Sequence, residues 1–485
     1  MSAERELRRM AAGTLLVPFT GTVAPDWVKR GIADGLGGVT LFGFNVAGPD
    51  QLRELNAELR AHGDPVISLD EEGGDVTRLH YHVGSPYPGN AALGSIDDVE
   101  LTESVHRALG RDLAAVGVNL DMAPSADVNT ADDNPVIGTR SFGNDPALVA
   151  RHTVAAVRGL QAAGIAACVK HFPGHGATRQ DSHLEIPLVD ADLDLLGSRE
   201  LVPFRAAIEA GTQTIMTAHV RVPALTGDAP ATLSPAALTG LLRDGLGFEG
   251  VVITDAMDMK AITESVGLPG GCALSIAAGS DLVCLGPLPT QEDVTAIIDA
   301  IVAAVRDGSL PLSRLEEAAD RTARLRAWFH TAGAAAPGAT RDGSGDGAGI
   351  GLAAARRAVR LEGTPAPLVD PLVVRLETPP TIAVGEVPWG LTLPGGEHLP
   401  ADPENDHADA IVERAAGRSL VVVLRDAHRY PATQKLVAEL LTHRPDAAIV
   451  EMGLPIWRPS AASVYVAAYG GAKANAQATA ELLTT

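Results

Sequence analysis

A TIM-like (β/α)8 barrel followed by a smaller α/β sandwich is the fold class predicted by this 485-residue sequence. Three observations carry the prediction. First, eight short apolar runs recur through the first 330 residues, at 14–19, 38–44, 65–70, 118–123, 165–171, 214–218, 251–255 and 281–285. Amphipathic stretches such as 51–60, 101–116, 148–163 and 198–209 separate them, which is the pattern of a buried parallel sheet. Second, polar residues stand where the runs end. Asp70 ends the third, Asp121 lies in the fourth, Lys170 and His171 end the fifth, His219 follows the sixth and Asp255 ends the seventh. A closed barrel brings all these ends to one face, where such folds build active sites; an open doubly wound sheet gathers fewer of them. Third, the composition breaks sharply after residue 330.

That break defines the domains. Residues 1–330 are expected to form the catalytic barrel and 331–351, rich in Gly and Ala, a linker. Gly347, Gly349 and Gly351 follow no strand, so they do not make a nucleotide fingerprint. Residues 352–485 read as the second domain, with a helix at 352–361, strands at 372–376, 420–424, 447–452 and 463–468, and helices at 409–416 and 433–442. Arg425, Asp426, His428 and Arg429 follow a strand and are types that could line a site, but a solvated surface loop is the favoured reading.

Composition narrows the function. The chain is 46% hydrophobic and 20% charged, with a net charge of −22, which suits a globular protein with real cores and argues against nucleic acid as a partner. No apolar run reaches the ~20 residues needed to span a bilayer, and no leader-like segment opens the chain. No membrane partner and a cytoplasmic location are the expectations. Cys168, Cys272 and Cys284 sit in apolar contexts without metal-ligand spacing and read as reduced core residues.

The densest chemistry lies in CVKHFPGHGATRQDSHLEIP, residues 168–187. A strand delivers Lys170 and His171, a Pro-Gly turn follows, and a polar loop closes on Asp181-Ser182-His183. Two readings are open. His171, His175, Asp181 and His183 are metal-ligating types, although no His-Glu-x-x-His helix accompanies them and Lys170 disfavours a neighbouring cation. Alternatively, Asp181 orients and charges His183 as a general acid, and Asp255, at the end of VVITDAMDM, stands opposite as nucleophile. As a bland alternative, Asp255 caps a following helix. DEEGGDVTR (70–78) and VIGTRSFGNDP (136–146) add Asp70, Arg78 and Arg140, donors and acceptors suited, with Lys170 and His171, to a polyhydroxylated ligand.

DEEGGDVTR, TRSFGNDP, KHFPGHGATRQDSH and VVITDAMDM occur in the order and spacing of glycoside hydrolase family 3. The chain resembles its bacterial β-N-acetylglucosaminidase branch, over about residues 10–330, and more loosely beyond. The resemblance implies a retaining mechanism without metal or organic cofactor. Asp255 would form a covalent glycosyl-enzyme, and His183, paired with Asp181, would serve as acid and then base, with acid and nucleophile about 5 Å apart. Asp70, Arg78, Arg140, Lys170, His171 and His219 would hold N-acetylglucosamine. The implied substrates are glycans or muropeptides of cell-wall recycling. A histidine acid/base also suits phosphate as acceptor in place of water, so a phosphorylase stays open, as does a β-glucosidase or β-xylosidase of the same family. A non-catalytic sugar-binding protein is the alternative of a different class.

Overall fold

The computed structural model describes residues 3–181, 186–335 and 347–485. All eight expected barrel strands are present: β1 (Leu15–Val17), β2 (Gly38–Thr40), β3 (Val66–Leu69), β4 (Leu120–Asp121), β5 (Ala166–Phe172), β6 (Thr214–Thr217), β7 (Val251–Ile253) and β8 (Val283–Cys284). Every residue of these strands is buried, which is why they read as unbroken apolar runs rather than alternating ones. The strands pair in parallel in the order β7-β6-β5-β4-β3-β2-β1-β8. Leu16 sits between Gly38 and Cys284 in the register, and a parallel bridge from Ile253 to Leu282 closes the ring.

Leu325 and Phe329 of the helix Leu312–Ala335 pack into one cluster with Leu16, Val66, Leu120, Ala166, Val251 and Leu282. They stopper the end of the barrel where the strands begin. The opposite end, where the strands finish, is left to the loops and to the chemistry.

The second domain is a six-stranded sheet. It contains β9 (Arg360–Glu362), β10 (Leu372–Leu376), β11 (Glu397–Ala401), β12 (Leu420–Leu424), β13 (Ala448–Glu451) and β14 (Val464–Ala467) in the order β11-β10-β12-β13-β14-β9. Only β9 runs antiparallel. The four apolar strands are those expected, whereas β9 and β11 are additional. Both are polar edge strands, and β11 carries Pro400, so neither has the apolar signature of a central strand.

The stretch expected as a linker, 331–351, is helical at both ends. The helix Leu312–Ala335 runs into it, and the helix Gly347–Ala358 begins within it; residues 336–346 lie outside the described residues. Gly347 and Gly351 form a close-packing face, because a side chain there would meet the Tyr87 hydroxyl and the Pro86 carbonyl. Their small size lets this helix lie directly on the barrel.

The loop 425–429 is a second correction. Instead of being a solvated surface, it is wedged between the domains: Arg425 is buried against Asp75, and His428 Nε2 meets the Asp132 carbonyl at 2.8 Å. Among the described residues no single helix is long and apolar enough to cross a membrane. The three cysteines are free and buried, and burial pushes the Cys168 thiol up to about 12.

Candidate active site

A cavity of about 490 Å³ opens at the C-terminal ends of the barrel strands. Asp70, Arg78, Arg140, Lys170, His171 and Asp255 all line it. The strand order explains the convergence: each of these residues lies at or just after a strand end, or in a loop that folds back over it.

The floor is a connected charge network. Lys170 Nζ lies 2.6 Å from Asp70 Oδ1 and 2.7 Å from Glu72 Oε1. Arg140 closes on the same Glu72, with Nη2 at 2.7 Å from Oε1 and Nε at 3.0 Å from Oε2. Burial works against the Glu72 carboxylate, but Arg140 and Lys170 outweigh it and hold the carboxyl well below the usual range. The same pairing keeps Lys170 charged: burial lowers its pKa, and Asp70 and Glu72 more than restore it. Two cations are thus fixed in a buried wall by charges they would be costly to lose.

His171 extends the network. Its Nδ1 meets Asp127 Oδ2 at 2.7 Å, and Arg140 Nη2 donates to its Nε2 at 3.3 Å, which assigns the proton to Nδ1. Asp127 also accepts the His175 backbone N–H at 2.7 Å. Burial disfavours the Asp127 carboxylate, yet His171 and His175 hold it down to about 2. The His175 imidazole is itself pushed down to about 4 by burial. Among the described residues no three His, Cys, Asp or Glu side chains cluster as ligands of a metal ion.

Asp255 follows β7, half-buried on the cavity wall, and its Oδ1 accepts the Ala256 N–H at 2.8 Å. Asp258, whose carboxyl is raised by burial, ties this turn to the loop after β8 through the Leu288 N–H. His219, expected among the sugar ligands, lies behind the wall. It is fully buried, with Nδ1 at 2.8 Å from Thr232 Oγ1 and Nε2 at 3.0 Å from the Ala256 carbonyl, so it braces the peptide that follows Asp255. Asp181 is half-buried and is not among the residues lining the cavity. His183 lies outside the described residues.

The model of the glycosyl hydrolase family 3 N terminal domain matches residues 21–325. The chain belongs to glycosyl hydrolase family 3. It is 37% identical over 282 residues to Beta-hexosaminidase LpqI of Mycobacterium tuberculosis, covering 56% of this chain and 71% of that relative. It is likewise 37% identical over 280 residues to a Beta-hexosaminidase of Stenotrophomonas maltophilia, covering 56% of this chain and 82% of the relative. A solved family 3 beta-N-acetylglucosaminidase from a Paenibacillus species superposes with a TM-score of 0.88 at 33% identity, over 99% of this chain and 96% of that one. The likeness to that glycosyl hydrolase therefore includes the second domain.

Three features of this family 3 site escape sequence reasoning. Glu72 pairs with Lys170 and Arg140, and Asp127 with His171; Glu72 lies within DEEGGDVTR and Asp127 just past β4, yet nothing local links either to its partners. Apolar side chains share the lining, with Met122, Met216 and Met259 from three different barrel segments, beside the polar Thr40, His175, Asp258 and Lys260. Finally, Ile382 and Ala383 reach the cavity from the second domain. No side-chain signature marks that contribution.

Proposed function

We propose that the protein is a retaining exo-β-N-acetylglucosaminidase that releases terminal N-acetylglucosamine through a covalent glycosyl-Asp255 intermediate. The observation that carries the reading is that Asp255 lines the same strand-end cavity as Lys170, Arg140, His171 and Asp70. A carboxylate beside a fixed set of hydroxyl-binding donors and acceptors is the arrangement needed to hold a sugar while its anomeric carbon is attacked.

In the first step, an Asp255 oxygen bonds to the anomeric carbon and the glycosidic bond breaks. The departing oxygen takes its proton from His183, oriented by Asp181. In the second step, the same imidazole removes a proton from water, which attacks the anomeric carbon and frees Asp255. Asp70 accepts from sugar hydroxyls, while Arg78, Arg140 and Lys170 donate. Fragments of peptidoglycan ending in N-acetylglucosamine are the proposed natural substrates, with the enzyme acting in cell-wall recycling.

The test is nitrophenol release from the aryl β-N-acetylglucosaminide and the aryl β-glucoside, each with and without phosphate and with a chelator control. Preference for the acetamido sugar, unaffected by chelator, is expected. In the same assay, Asp255→Asn should lower turnover by at least about 1,000-fold, because the nucleophile is lost. Preference for the plain glucoside, or a sugar phosphate product, would replace the proposal with a β-glucosidase or a phosphorylase.

A further inference from the structure

We infer that Asp75 is a positioning residue, the joint through which the second domain holds Arg78 and Arg140 in the sugar cavity. The inference rests on the proposed reading of that cavity and deepens it. Asp75 lies in the turn after β3 and is only 6% exposed. Its Oδ1 accepts the Gly471 N–H at 2.8 Å, from the loop after β14. Its Oδ2 accepts the Thr139 hydroxyl at 2.6 Å and faces Arg425 Nη2, just past the end of β12, at 3.5 Å. One carboxylate therefore joins the β3 turn, the segment preceding Arg140 and two separate loops of the second domain.

Arg78 is gripped from the same side. Its Nη2 donates to the Ala383 carbonyl at 2.7 Å and its Nη1 to the Val384 carbonyl at 3.2 Å. Each terminal nitrogen keeps a second N–H, so the guanidinium is fixed without being used up. Between the two residues, Val76 packs on Val384 and Val387. On the far side, Arg425 lies over the Trp389 ring with its guanidinium carbon 5.5 Å from the ring centre. Only a carboxylate suits the joint, because it accepts from two neutral donors while offsetting a buried arginine. Asp75 is not among the residues lining the cavity, so it acts through the arginines it positions.

The test measures steady-state kinetics on the aryl β-N-acetylglucosaminide with full-length Asp75→Asn, Arg425→Ala, Thr139→Val and the Asp75→Asn/Arg425→Ala double variant. Both Asp75→Asn and Arg425→Ala are expected to raise KM about tenfold with kcat little changed, the split produced by losing ground-state and transition-state binding alike. The double variant should be no worse than the more impaired single one, since both act at one joint. If Asp75→Asn does not fold, as read by circular dichroism, Arg425→Ala and Thr139→Val carry the same expectation. Parental KM in folded Asp75→Asn and Arg425→Ala overturns the inference, as does a fall confined to kcat. A parent enzyme that turns over no N-acetylglucosaminide overturns the proposed function, and this assignment with it.

Discussion

Glu72 in the barrel and Glu451 in the second domain occupy comparable places, near the C-terminal ends of parallel strands and almost wholly buried. Their partners differ. Glu72 faces two side-chain cations, Lys170 and Arg140, and stays ionised at any ordinary pH. Glu451 receives only backbone N–H groups, from Asp426 at 2.8 Å, Ala427 at 3.1 Å and Gly453 at 2.6 Å. Burial, followed by the nearby Asp426 charge, pushes its carboxyl up to about 8. The first carboxylate keeps two cations aimed at a cavity, and the second clasps a loop. In this molecule the buried acid paired with cavity-lining side chains belongs to the candidate site, and the one met by backbone N–H groups shapes a loop.

Removing the charge from the first acid should break the comparison most severely. Glu72→Gln leaves Lys170 and Arg140 underpaired in a dry wall, a change expected to cost roughly 3–5 kcal/mol. Chemical denaturation measures that loss, and kcat/KM should fall by more than about 100-fold. Parental values in both assays would mean that the network is decorative.

Lys170→Met comes next. Glu72 keeps Arg140, so the expected loss of stability is smaller, about 1–3 kcal/mol, but Asp70 loses its 2.6 Å partner and its fixed orientation. Activity should therefore fall more steeply than stability. A variant that loses both in proportion would argue for a purely structural lysine.

The smallest effect, and the one that sharpens the contrast, is expected from Glu451→Gln. At low pH the parent side chain is the protonated acid, both of whose oxygens can still accept from the loop N–H groups, whereas the amide turns an NH2 donor toward one of them, at a cost of about 1–3 kcal/mol. The parent carboxyl ordinarily titrates near 4.5 and, when folded, near 8, so the native state keeps its proton longer. Its contribution is full below about 4.5 and declines as pH rises to about 8. The glutamine has no such decline, so thermal unfolding across that window should show the variant and parent converging. A gap that widens with pH would reverse the assigned direction.

What could be read in advance follows the same division. The barrel strands were legible because both faces are buried, and Asp70, Lys170, His171 and Asp255 because each interrupts or ends an apolar run where apolar residues would otherwise continue. Pairings across space were not. Glu72 belongs to the same motif as Asp70, yet nothing local indicates that Lys170 and Arg140 will meet it. His219 resembles a ligand because it follows a strand end, but its ring faces Thr232 and the Ala256 carbonyl. Arg425 looks like any surface arginine until Asp75, 350 positions earlier, is folded against it. Ala383 and Val384 contribute through carbonyl oxygens, which every residue has.

The loop between β3 and the helix Asn90–Ile96 is touched by the second domain along much of its length: at Asp75, at Arg78, at Ser85 through the Ala474 N–H, and at Pro86 and Tyr87 beneath Gly351 and Gly347. The cavity wall that carries Arg78 is consequently moulded by the second domain. On heating, whichever half loosens first takes the wall with it. Inactivation by heat therefore reports the resilience of the smaller domain as much as that of the barrel, and a substitution far from any sugar can masquerade as a defect in chemistry.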